Sequence, residues 1–218
     1  MTVEKATEQI TDNKALHILQ FGEVKLTVGM KEANLRNKNI DCGGAIIVGA
    51  WIAHKKNRAL KALDISRNEL GKPEGVIAIA NAISTMGAMT SLNILNNDIG
   101  KTGAELLENV WKSHKALKTI CGASDELDLR RKLGNDLPVV AVELKYNGAL
   151  VKFDISSNTL CAEGGKDIAE ALKNNQILTE LNIASNDLGE DLDDKPDMSG
   201  VVAISNAIPT MGALEKLL

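Results

Sequence analysis

The sequence predicts an α/β repeat fold in which each unit of about 28 residues supplies one short strand, one turn and one helix. Three observations lead there. The stretch "GVIAIANAISTMGAM" at residues 75–89 returns as "GVVAISNAIPTMGAL" at residues 200–214, with eleven of fifteen positions identical. A shorter pattern, L-x-x-L-x-I-x-x-N-x-L, occurs as "LKALDISRNEL" (60–70), "MTSLNILNNDI" (89–99), "LVKFDISSNTL" (150–160) and "LTELNIASNDL" (178–188). Aromatic residues make up only 2% of a chain that is 44% hydrophobic. Its core is therefore built from Leu, Ile, Val and Ala, which suits thin repeated layers better than a bulky, irregular interior.

The N-terminal "MTVEKATEQITDNKALHIL" lacks the continuous apolar stretch of a signal peptide, and nowhere do eighteen uncharged apolar residues run together. Neither export nor a membrane span is expected. "ALHILQF" (Leu16, Leu19) and "ANLRNKNID" (Leu35, Ile40) read as two degenerate units ahead of the first regular one. In "ALDIS", Leu63 and Ile65 are two apart and project from one face of a strand toward the core, while Asp64 and Ser66 project from the other toward solvent. In "AEGGKDIAEALKNN", Ile168, Ala171 and Leu172 are spaced as the apolar stripe of a helix that can cover the strand.

The regular units start at residues 60, 89, 150 and 178. The long middle gap should hide one more unit, supplied by "ALKTICGASDELDLRRKL" with Leu117 and Ile120. In the repeated fifteen-residue stretch, Val76, Ile79, Ala80 and Ile83 form a helical stripe. Pro209 in the second copy replaces Ser84 of the first and should end that helix earlier or bend it. After Leu214 the chain reads only "EKLL", inside the strand expected next, so the last repeat is expected to be unfinished and without a polar cap. Such a surface belongs to a fragment, or calls for a partner or for self-association.

This pattern is the signature of leucine-rich repeats, and the sequence resembles the ribonuclease-inhibitor-like class of that family, with similarity to the repeats of NOD-like receptors and of the Ran GTPase-activating protein. The resemblance implies a curved solenoid with parallel strands on the concave face and helices on the convex one. It also implies a repeating structural asparagine. Asn68, Asn97, Asn158 and Asn186 stand at the bend after each strand, where a side-chain amide can satisfy backbone groups the turn leaves unpaired.

The duplication is a repeat of repeats. "NKALHIL" (13–19) matches "HKALKTI" (114–120), and "NRALKALDISRN" (57–68) matches "NGALVKFDISSN" (147–158). Two related blocks, about 12–89 and 113–214, share one layout. The second carries an extra unit and the insertion "EDLDDK" (190–195). One continuous solenoid domain spanning residues 1–218, with about seven to eight repeats, is expected.

Tests for chemistry fail one by one. "GKTGAE" (100–105) has the tail of a phosphate-binding loop, but Leu95 stands where the first glycine is required. Gly100 is instead expected to end a turn and Thr102 to cap the next helix. His17, His54 and His114 belong to different units, so no nucleophile with its base and orienting acid is assembled. His54, beside Lys55, Lys56 and Arg58, reads as part of a basic helix C-terminus. Cys42, Cys121 and Cys161 form no CxxC pair and fit buried free thiols in a reducing cytosol or nucleus. The five acids of "GEDLDDKPD" lack the glycine and terminal Glu of a calcium loop and read as a solvated loop. Trp51 and Trp111 lie in helical segments and fit packing between helices. With 25 basic and 29 acidic residues and a net charge of −4, binding to nucleic acid has little electrostatic support.

What remains is the face opposite the core on each strand. In successive units it presents Ala62, Asp64, Ser66 and Arg67; Ser91, Asn93, Leu95 and Asn96; Lys152, Asp154, Ser156 and Ser157; Glu180, Asn182, Ala184 and Ser185. Short polar side chains suit a broad contact with another protein, with Leu95 as an apolar exception that could centre a patch. The expected function is a cytoplasmic, non-enzymatic interaction module or scaffold that needs no cofactor or metal. Two alternatives rest on the resemblance: a GTPase activator of the Ran-activator type, and the sensor segment of a larger NOD-like receptor-type protein.

Overall fold

Alternate residues of each repeat's strand are driven out of water. Leu63 and Ile65 are 1% and 0% exposed, as are Leu92 and Ile94, while Asp64 and Asn93 between them are half-buried. The computed structural model describes residues 3–70 and 73–218. Its contacts divide the chain into two compact units, Met1–Gly122 and Ala123–Leu218.

In the first unit the order is α1 (Val3–Thr11), β1 (Ile18–Phe21), β2 (Val24–Thr27), β3 (Glu32–Asn34), α2 (Cys42–Ala53), β4 (Ala62–Asp64), α3 (Pro73–Ser84), β5 (Ser91–Asn93) and α4 (Gly100–Ser113). Strands β3, β4 and β5 are parallel neighbours, with Ala33, Leu63 and Leu92 in one register row. Consecutive helices pack on one another from α1 to α4. Parallel strands need a crossover between them, and each helix supplies it.

The second unit repeats the plan with β6 (Glu126–Asp128), α5 (Leu137–Tyr146), β7 (Lys152–Asp154), α6 (Cys161–Leu172), β8 (Glu180–Asn182), α7 (Ser199–Ala207) and β9 (Lys216–Leu217). All four strands are parallel, and Leu127, Phe153, Leu181 and Leu217 share a row. Ile168 and Leu172 of α6 are 0% and 1% exposed, which is the stripe their spacing predicts.

The glycine that opens both copies of the fifteen-residue stretch has a packing reason. A Cβ on Gly200 would lie 2.7 Å from Ala162 Cα and 2.7 Å from the Leu188 carbonyl, so α7 seats its first turn directly on the backbone of α6. Gly75 makes the same approach in the first unit, where a Cβ would stand 3.0 Å from the Leu70 carbonyl and 3.3 Å from Cys42 Cα. The copies then diverge. Helix α3 runs to Ser84, whereas α7 stops at Ala207 and gives way to a 3-10 turn over Ile208–Thr210, the result expected from Pro209.

Four local expectations are corrected. "ALHILQF" forms no repeat unit: β1 pairs antiparallel with β2 in a hairpin whose two-residue turn has Gly22 at φ +52°, a conformation that lets the chain reverse before any helix can start. The segment 117–133 holds two strand-like passes instead of one. Thr119 and Cys121 bridge to Ser91 and Asn93 of β5, and β6 follows only a few residues later. Thr102 caps nothing, because α4 begins at Gly100 and the residue before it, Ile99, makes no side-chain cap bond. Ser66 and Ser156 are buried at 1% and 5%, since each hydroxyl is drawn onto a neighbouring carboxylate.

Candidate functional site

At the bend after each strand, one asparagine side chain serves several backbone groups. Asn68 Nδ2 donates to the carbonyls of Leu35 (2.9 Å) and Ile65 (2.8 Å), and its Oδ1 accepts from Lys38 N (2.9 Å) and Ile40 N (3.0 Å). Asn97 donates to Ile65 and Ile94 in the same manner. In the second unit Asn158 donates to Leu129 and Ile155, and Asn186 to Ile155 and Ile183. Each side chain therefore ties its own strand to the preceding one. The carbonyls and N–H groups at these bends would otherwise be buried without partners.

A second set of links, at the helix exits, was not read from the sequence. His54 closes α2 and reaches the Asn13 carbonyl at 2.9 Å, while its Nδ1 accepts from Lys56 N. His114 closes α4, reaches the Met86 carbonyl and accepts from Leu117 N. Asn175 follows α6 and donates to the Leu144 carbonyl at 3.3 Å. The match between residues 13–19 and 114–120 sets His114 against Asn13, but His54 and Asn175 lie outside it. Both histidines are buried, His54 at 3% and His114 at 7%, as structural caps.

The polar side of the strands carries a recurring arrangement. In the first unit Asp64 Oδ1 accepts from Ser66 N (2.9 Å) and Ser66 Oγ (2.6 Å), and Asn93 Nδ2 approaches Asp64 Oδ2 at 3.5 Å. In the second, Asp154 Oδ1 accepts from Ser156 N (3.0 Å) and Ser156 Oγ (2.6 Å), while Asn182 Nδ2 donates to Asp154 Oδ2 at 3.0 Å. Arg130 adds a 2.8 Å bond to that same Oδ2. Partial burial pushes the Asp154 carboxyl up, but the bonds from Ser156, Arg130 and Asn182 outweigh it and hold the group at about 2.

One register row in the second unit alternates in charge: Glu126, Lys152, Glu180, Lys216. Lys152 Nζ lies 2.7 Å from Glu126 and Lys216 Nζ 3.7 Å from Glu180. The Glu126 bond raises the Lys152 ammonium above its ordinary value. This row, like Arg36 and Arg130, lies partly in the degenerate units. The string Glu-x-[Asn/Asp]-Leu-Arg-x-Lys, shared by residues 32–38 and 126–132, is the signal that locates it.

Among the other candidate residues, Arg67, Asn96, Ser157 and Ser185 all stand at positive φ, between 56° and 59°, just before a ladder asparagine. They occupy the bend at the strand end. Leu95 is corrected: it is 6% exposed and belongs to the core, so it cannot centre a contact patch. The acidic insertion folds around its own backbone, with Asp191 Oδ1 accepting from Asp193 N and Lys195 N, both at 2.9 Å. No metal-binding group of His, Cys, Asp and Glu occurs among the described residues. None of their helices is long and apolar enough to cross a membrane.

Parallel strands joined by helices, with an asparagine bond bridging successive turns, define an α/β repeat solenoid. A family model described as Leucine Rich repeat matches residues 56–80, 89–107 and 174–191, and the alternating helices and parallel strands fit a leucine-rich repeat solenoid. No curated protein matches it significantly. Leucine-rich repeat domains generally mediate protein–protein interaction.

Proposed function

We propose that this chain is a protein-interaction module whose polar strand face contacts the partner. The observation that carries the reading is the recurring arrangement of half-buried Asp64 beside Asn93 and Asp154 beside Asn182, each aspartate held in place by the serine two residues on. Side chains held this way lose little conformational freedom on binding, so a contact there retains more of its interaction energy. Three widely spaced cysteines, Cys42, Cys121 and Cys161, without a CxxC pair fit a reducing, cytoplasmic setting.

The test is affinity capture from native lysate with the wild-type chain and with a variant in which Asp64, Asn93, Asp154 and Asn182 are all changed to Ala. Captured partners should be lost with the variant while its circular dichroism and cooperative melt persist. An unchanged set of partners would overturn the reading.

A further inference from the structure

The two units carry the same four-residue constellation on their strand faces. Arg36, Asp64, Ser66 and Asn93 in the first correspond to Arg130, Asp154, Ser156 and Asn182 in the second. The correspondence follows from register: the arginines sit two residues past β3 and β6, the aspartates end β4 and β7, and the asparagines end β5 and β8. The inner carboxylate oxygen is bound identically in both, by the serine N and Oγ.

The outer oxygen is not. In the second unit Asp154 Oδ2 accepts from Arg130 Nη2 at 2.8 Å and from Asn182 Nδ2 at 3.0 Å. In the first, Arg36 Nη1 stops on Ser66 Oγ at 3.2 Å, and among the described residues Asp64 Oδ2 has only the 3.5 Å approach of Asn93 Nδ2. A carboxylate oxygen accommodates two good donors, and a guanidinium is the donor that suits it best. The second unit thus displays the ligand that the first lacks.

We propose that Asp64 Oδ2 is the acceptor for an arginine side chain of a polypeptide partner, which takes the place that Arg130 fills for Asp154. The inference rests on the strand face being the binding surface and adds the chemistry of the group it receives. The incoming guanidinium bonds Asp64 Oδ2 and lies beside Asn93. The second unit is occupied by its own arginine and opens to the same ligand only when Arg130 is removed.

The experiment titrates the full-length, nitrogen-15-labelled chain at low ionic strength with the peptide acetyl-Gly-Arg-Gly-amide, and in parallel with its neutral citrulline counterpart. The arginine peptide should shift the side-chain amide signals of Asn93 and leave those of Asn182 in place, while the citrulline peptide shifts neither. In R130A the Asn182 signals should move as well. In D64N the Asn93 shift should vanish. Movement of Asn182 with Arg130 in place, equal shifts from citrulline, or an Asn93 amide that stays still throughout the titration would each overturn the proposal. Because Asp64 also braces Ser66, the R130A and citrulline arms decide the question if D64N fails to fold. A partner lost with the fourfold alanine variant but retained by D64N would overturn the arginine inference alone and leave the interaction face standing.

Discussion

Asn158 and Asn186 are consecutive rungs of one ladder: the backbone N–H of Asn158 donates to Asn186 Oδ1 at 2.8 Å, and both side chains donate to the Ile155 carbonyl. Each turn is therefore stabilised by its own asparagine and by that of the next repeat. Asn186→Ala would leave the Asn158 N–H and the Ile183 carbonyl short of a partner, while the Ala184 carbonyl keeps its bond from Ser157 N. Buried polar groups so deprived cost about 1–3 kcal/mol each before relaxation, so a loss of about 2–4 kcal/mol is expected in urea unfolding. Asn186→Asp should be worse than Ala at neutral pH, because a carboxylate at this 2% exposed position cannot donate and carries a buried charge. The reverse order would show that the ladder does not depend on donation.

Gly200 tests the seating of α7 on α6. A methyl group there meets backbone atoms at 2.7 Å, which cannot rotate aside, so Gly200→Ala should destabilise by about 1–3 kcal/mol despite its better helix propensity. Gly87, whose Cβ would meet nothing within 4 Å, is the control. Thermal melts of the two alanine variants should differ clearly, with Gly87→Ala close to wild type.

The Asp154 carboxyl gives a pH dependence with a definite sign. Its folded-state value of about 2 lies below the ordinary 3.8, so its contribution is present above about pH 4 and is lost as pH falls through 2. A shift of that size corresponds to at most about 2.5 kcal/mol, and salt reduces it because Arg130 is exposed. The stability difference between wild type and Asp154→Asn should narrow by about 1–2 kcal/mol between pH 5 and pH 2. A difference independent of pH would mean that the carboxylate's charge contributes nothing.

Much of this architecture is legible in the residues because burial repeats with them. Leu63 and Ile65, or Ile168 and Leu172, cannot leave water except by the strand and helix that their spacing of two, or of four, implies. The misreadings share a physical cause: a short apolar alternation fits more than one pairing. "ALHILQF" has the spacing of a repeat strand, yet Gly22 permits an immediate reversal and the hairpin forms. Leu95 lies on the polar side by alternation alone, but the strand ends at Asn93 and Leu95 falls in the bend that follows, which has Asn96 at φ +58°, and is buried there. At the site, Asp64 and Asp154 could be picked out by register. The difference between them could not, because it depends on where the side chains of Arg36 and Arg130 come to rest.

The cysteines give a last expectation that separates burial from proximity to charge. Burial raises the Cys161 thiol, and the carboxylates of Asp187, Asp194, Glu190 and Asp191 raise it further. The thiolate is the reactive form, so little is available at neutral pH. Cys42, at the first position of α2, is only half-buried. With iodoacetamide at pH 7.5 and peptide mass spectrometry as the readout, Cys42 should be alkylated about tenfold faster than Cys161 in the native chain, a ratio that tracks thiolate fraction and access. In denaturant the two rates should converge. If Cys161 reacted as fast as Cys42 under native conditions, neither its burial nor the surrounding acids would be protecting it.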